Sequence, residues 1–207
     1  MDVTWGQLRE DIEAAQKAGY NNDFNYREVE RIIGQPAIKR LEYAGLVVGG
    51  SHTHFRYCIW QSPELIKRLL PSLEALKKGR RFKGDVNQAA GAIHGLKTLD
   101  YEAWRLTEYQ EPGELYVYVK DMESAERLLT SLGFEKSDEG DVCLLPCRGK
   151  FKNMTERVYL DSIAAGGRNV LDAVAIELLY PDEVGLKAKW GEEAIEKVSS
   201  ELYGPSF

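Results

Sequence analysis

The chain predicts an α+β protein that begins with a winged helix-turn-helix, and three observations carry that expectation. The stretch from Asn25 to Trp60 reads as helix, turn, helix and two strands joined by glycines. A clear strand, Leu115 to Val119, follows Pro112-Gly113 and precedes a helical stretch closed by Gly133. Two further helices, Glu156 to Ala165 and Asn169 to Leu179, are parted by Gly166-Gly167. Strands and helices mixed in this irregular order point to α+β rather than to a doubly wound sheet.

The elements follow in order. Thr4 to Ala18 predicts a helix, with Thr4 as its cap and Leu8, Ile12 and Ala15 at helical spacing. Gly19 to Asn25 is a polar break. Tyr26 to Ile33 places Val29, Ile32 and Ile33 on one face and ends at Gly34. Gln35-Pro36 opens the next helix, because proline at the first helical position gives up no bond the helix needs. There Ala37, Ile38, Leu41 and Ala44 face inward, which leaves Gln35, Lys39, Arg40 and Tyr43 outside. Gly45 ends the helix. Leu46 to Val48 and Phe55 to Trp60 read as strands around Gly49-Gly50-Ser51.

In such modules the second helix lies in the major groove of DNA and the hairpin flanks it on the backbone. That makes Lys39 and Arg40 candidates for the groove and Gln35 and Tyr43 candidates for base edges or phosphate. His54 and Arg56 would meet backbone, while Glu42 would repel it. Helix pairs with a hairpin also serve as protein adapters, and that alternative stays open.

After the hairpin, Ser62-Pro63-Glu64 opens a helix with a broad apolar face from Leu65 to Leu76. The run Lys77-Lys78-Gly79-Arg80-Arg81-Phe82-Lys83 then packs five positive charges into seven residues. It could follow a DNA backbone, but it falls where two modules should join, which favours a solvated linker. The expected organisation is therefore a winged-helix domain over 1–80 and an α+β domain over 84–207. The net charge of −6 argues against a general nucleic-acid coat. It is unevenly spread: residues 1–83 hold 14 Lys and Arg against 10 Asp and Glu, and residues 84–207 hold 13 against 23. A head of +4 predicts modest, salt-sensitive DNA binding that dimerisation would improve.

A 43% hydrophobic content supports packed cores. No stretch approaches the ~20 apolar residues of a membrane span, the start Met1-Asp2-Val3-Thr4-Trp5 does not read as a signal peptide, and three cysteines suit a reducing cytoplasm. His52, His54 and Cys58 share one strand face and could bind a metal, but a fourth ligand is not evident. Cys143 and Cys147 are too far apart for a redox pair. No catalytic residue, metal or cofactor is expected. Nucleotidyl transfer needs paired carboxylates on magnesium, and Asp138-Glu139-Gly140-Asp141 reads instead as a hairpin turn between strands.

In the second half, Val86 to His94 predicts a helix, Met122 to Leu132 another, Val142 to Leu145 a strand and Gly191 to Leu202 a last helix. Tyr116 and Tyr118 share one strand face, as a base-stacking platform or a sheet face under a helix.

Tyr159-Leu160-Asp161, then Gly166-Gly167-Arg168 and the alanine-rich Asp172-Ala173-Val174-Ala175, resemble the C-terminal signature of AbiEi-type antitoxins of type IV toxin-antitoxin pairs. The strand at 115–119, the helix end Leu132-Gly133-Phe134 and the strand end Leu144-Leu145-Pro146 are similar as well. The chain departs from the pattern at Ser162, where an apolar residue is common, and at Asn169, where glycine is common. The resemblance implies a winged helix joined to a nucleotidyltransferase-like body that does not transfer nucleotides. It also implies an autorepressor on double-stranded DNA of its own operator, with a nucleotidyltransferase-like toxin as partner. An enzyme that still binds nucleotide is the alternative. Asp161, late in one helix, and Arg168, just past the glycine break, are expected to pair bidentately across the turn.

Overall fold

A computed structural model describes residues 10, 36, 47–49, 56–58, 63–147, 152–188 and 190–204. Glu10 and Pro36 are helical, as the first helix and the proline-started helix require. Strands β1 (Val47–Gly49) and β2 (Arg56–Cys58) form an antiparallel hairpin with Val47 opposite Cys58, Val48 opposite Tyr57 and Gly49 opposite Arg56. The rest of the expected helix-turn-helix lies outside the described residues.

The protein is of mixed α+β architecture. A five-stranded sheet has the order β4-β5-β7-β3-β6, with β3 (Arg80–Lys83), β4 (Leu96–Thr98), β5 (Leu115–Val119), β6 (Glu135–Lys136) and β7 (Val142–Pro146). The central pair β5–β7 is parallel and the other pairings are antiparallel. Central strands covered on both faces read as unbroken apolar runs, and Leu115–Val119 is buried at every position.

Among the described residues the helices are α1 (Pro63–Lys77), α2 (Val86–Ala92), α3 (Leu99–Thr107), α4 (Met122–Ser131), α5 (Met154–Ala165), α6 (Asn169–Leu179) and α7 (Glu192–Tyr203). One sheet face, with Phe82, Val117 and Leu144, packs on Ala89 of α2, on Ile93 just past its end and on Leu129 of α4. The other face, with Tyr116, Tyr118, Cys143 and Leu145, meets Ala75 of α1 and Leu99 of α3. Beyond it a helical core gathers Leu65 and Leu69 of α1, Val158 and Ile163 of α5, and Ala173 and Val174 of α6. The small alanines let α6 lie close to α3 and α5. The hairpin is near this core, since α7 approaches β2.

Two expectations are corrected. The basic run is not a linker: Arg80–Lys83 is an inner strand, with β7 on one edge and β6 on the other. Only Phe82 of that strand is fully buried, and the cations are held at its margins. Arg80 pairs with Glu126 at 2.5 Å, and Arg81 donates to the Gly140 carbonyl at 2.9 Å. Helix α1 likewise packs on α5. The body therefore starts well before residue 84, and this redraws the charge split. Residues 1–62 hold 7 Lys and Arg against 8 Asp and Glu; within them the winged-helix outline, 25–60, holds 5 against 3.

Nor is 138–141 a hairpin turn. β6 and β7 flank β3 on opposite edges, so the chain between them crosses over β3. Ser137 donates its N–H to the Arg81 carbonyl at 3.0 Å. A Cβ on Gly140 would sit 2.3 Å from the Phe82 carbonyl group, so this crossing requires glycine.

Candidate functional site

The motif that carried the resemblance does not converge on one place. Its residues sit at three separate locations, each built by a different set of elements.

Asp161 projects from α5 to the tyrosine face of the sheet and is completely buried. Thr98 Oγ1, from the end of β4, donates to its Oδ2 at 2.7 Å, and the Tyr118 hydroxyl donates to Oδ1 at 3.1 Å. Ser72 on α1 adds a further bond. Arg157, one turn earlier on α5, brings Nε to 3.5 Å of Oδ1 and donates from Nη2 to Ser72 at 3.0 Å. Burial pushes the Asp161 carboxyl up, and Arg157 with the three hydroxyls opposes the shift. This network ties α1, α5 and two strands together.

Tyr159 points the other way, into the helical core. Its hydroxyl donates to Glu177 Oε2 at 2.7 Å and accepts from the Ala188 N–H at 2.6 Å. Trp190 Nε1 donates to the same Glu177 oxygen at 2.8 Å, and the Trp190 and Tyr159 rings meet edge to face at 6.2 Å. The group clamps the segment before α7 onto α5 and α6.

Gly166 (φ +70°) and Gly167 (φ +57°) turn the chain between α5 and α6 in the left-handed region, which glycine enters without strain. Arg168 follows, and it does not pair with Asp161. It donates from Nη2 to the Glu111 carbonyl at 2.8 Å and faces Asp100 electrostatically. The expected pair fails because the two side chains leave the turn in different directions: Asp161 goes inward, while Arg168 is exposed and reaches the loop before β5.

That loop completes the most chemically unusual cluster. Leu99 adopts φ +54°, a strained conformation for a branched residue that costs about 1–3 kcal/mol. It turns the chain from β4 straight into α3. The next residue, Asp100, is 5% exposed and accepts from the Gly113 N–H at 3.3 Å. Burial raises its carboxyl pKa, against the pull of Arg168. Asp172 on α6 is 1% exposed. Its Oδ1 accepts from Gln110 Nε2 at 2.9 Å, and its Oδ2 has no hydrogen-bond partner. Burial, then the negative charge of Asp100, push Asp172 up to about 7 against the Gln110 bond. With one oxygen orphaned beside a second buried acid, Asp172 can hold or release a proton near neutral pH. Among the described residues no group of three or more His, Cys, Asp and Glu is placed to hold a metal ion.

The two strand tyrosines are not an open stacking surface. Tyr116 and Tyr118 are 6% and 3% exposed. The Tyr116 hydroxyl bonds Glu114 and accepts from Arg81 at 2.5 Å, and the Arg81 guanidinium covers its ring at 5.2 Å. Burial pushes the Cys143 thiol up to about 11, and Cys143 is free.

Of the candidate DNA-binding residues, Arg56 opens β2; Gln35, Lys39, Arg40, Tyr43 and His54 lie outside the described residues. Sequence reading missed Asp100, Gln110, Asp172 and Glu177. One signal was available for Asp172: a carboxylate at a core-facing position of the apolar helix Asn169–Leu179. No protein-family model, curated protein or solved structure matches the chain.

Proposed function

We propose that the chain is a DNA-binding transcriptional regulator, an antitoxin-like repressor of its own operon. The observation that supports this most is the hairpin. Gly49 and Arg56 form the pair nearest residues 50–55, so Arg56 ends the ladder on the side where a wing meets the DNA backbone. Pro36, upstream of the hairpin, is helical. The winged-helix outline keeps an excess of two positive charges after the body has claimed α1 and β3. Lys39 and Arg40 then reach the major groove, with Gln35 and Tyr43 beside them, and His54 and Arg56 touch backbone. Double-stranded operator DNA, a second copy of the chain and a nucleotidyltransferase-like toxin are the proposed partners, in the cytoplasm. Among the described residues, no helix is long and apolar enough to cross a membrane.

Fluorescence anisotropy on a duplex from just upstream of the gene, against a scrambled duplex, tests this reading. Specific binding should weaken steeply with salt. Lys39→Ala/Arg40→Ala should flatten the slope by about one unit for each phosphate that the variant no longer neutralises. Equal, salt-insensitive binding of both duplexes, or none, by the folded protein would refute it.

A further inference from the structure

A cleft of about 560 Å³ opens at the carboxyl ends of the parallel strands β5 and β7, beside the start of α4. That is within the size range of small-molecule sites, and the crevice outside the carboxyl ends of parallel strands is where α/β sheets take ligands. Its floor is apolar, made by Ile93, Leu96, Val119, Ala125 and Leu128. Leu96 and Leu128, 41% and 37% exposed, turn apolar surface toward this one concavity.

Its rim carries the charge. Lys120 and His94 both line the cleft, and among the described residues neither has a hydrogen-bond or ion-pair partner. Among the described residues the one carboxylate lining the cleft, Asp121, is already engaged. Its Oδ1 accepts from the Ser124 N–H at 3.0 Å and its Oδ2 from the Ser124 hydroxyl at 2.7 Å, capping α4. An unspent cation beside an occupied carboxylate favours an anionic ligand over a cationic one.

We infer that this cleft binds a small amphipathic anion, an aliphatic or aromatic carbon body bearing one carboxylate or similar acid group. The body lies on the leucine floor and the acid group meets Lys120, with His94 as second donor. This site is remote from the hairpin in sequence and stands whether or not the chain reads DNA.

The test uses the full chain and the fluorescent apolar anion 1-anilinonaphthalene-8-sulfonate, displaced by decanoate or by decanol. Saturable binding at one site is expected, with decanoate displacing the dye at concentrations roughly tenfold below decanol, the scale of a charge-assisted hydrogen bond. Lys120→Met should cut that preference several-fold, with His94 left as the remaining donor, and leave decanol unchanged. Ala125→Leu, which fills the floor, should weaken both competitors. Lys120 is exposed, so its variant keeps the fold and decides the matter alone if the core-adjacent Ala125 variant misfolds. Equal displacement by acid and alcohol in the unmodified chain, no displacement, or decanoate binding untouched by Lys120→Met would overturn the assignment.

Discussion

Asp161 on α5 and Asp172 on α6 are buried to the same depth, 0% and 1% exposed, and they differ in what meets them. Asp161 has a guanidinium and three hydroxyls around it, delivered by four elements. Asp172 has one amide hydrogen and a neighbouring carboxylate. A buried charge is tolerated only when its lone pairs are filled. The first acid therefore serves as a joint between sheet and helices, whereas the second is better off keeping a proton.

The largest effect should come from emptying the filled site. Arg157→Met removes the cation and the bond to Ser72 while keeping the aliphatic stem. Leaving a buried carboxylate with hydroxyls alone should destabilise the protein by about 3 kcal/mol, read as a lower urea midpoint. A loss below about 1 kcal/mol would mean that Asp161 is itself neutral, and the contrast with Asp172 would disappear.

Neutralising the unfilled site should act in the opposite direction. Between about pH 4 and 7 the folded chain keeps a proton on Asp172 that the unfolded chain has released, because the folded pKa is raised to about 7. Stability therefore falls as pH rises through that window and levels off above it. Asp172→Asn keeps the acceptor for Gln110 and never has to ionise. At pH 8 it should be more stable than the parent by about 1–3 kcal/mol, with the gap closing toward pH 4. Asp161 and Asp100 shift the same way, so the melting temperature of the variant should slope less with pH without becoming flat. A variant less stable than its parent at pH 8 would show that the ionised Asp172 carboxylate stabilises the fold.

The comparison also shows what could be read from the chain. Strand Leu115–Val119 and helix Asn169–Leu179 were legible to the residue, because continuous β-formers and an apolar helical face are local signals. The hairpin strands β1 and β2 were legible for the same reason. Strand β3 was not. Three of its four residues are cations, and their stems and partners qualify them for an inner strand only once Glu126, Glu114 and the Gly140 carbonyl are in place. Helix α3 was overlooked although Leu99, Ala103 and Leu106 have helical spacing. The site was least legible of all. Thr98 and Tyr118 are 63 and 43 residues from Asp161, and nothing local in a sequence announces which distant hydroxyl will fill a lone pair.

Arg168 separates the two sites, and its removal should have the smallest effect. Had it paired with Asp161, Arg168→Ala would strip a buried carboxylate and cost as much as the Arg157 change. It lies exposed instead, with one bond to the Glu111 carbonyl and a Coulombic pull on Asp100 and, more weakly, Asp172. Removing an exposed bond of this kind costs about 0.5–1 kcal/mol. Both neighbouring carboxyls lose a nearby cation, so their pKa values should rise further. Arg168→Ala should therefore barely lower the melting temperature at pH 5 and lower it more at pH 8. A pH-independent drop comparable to that of Arg157→Met would put Arg168 back with Asp161.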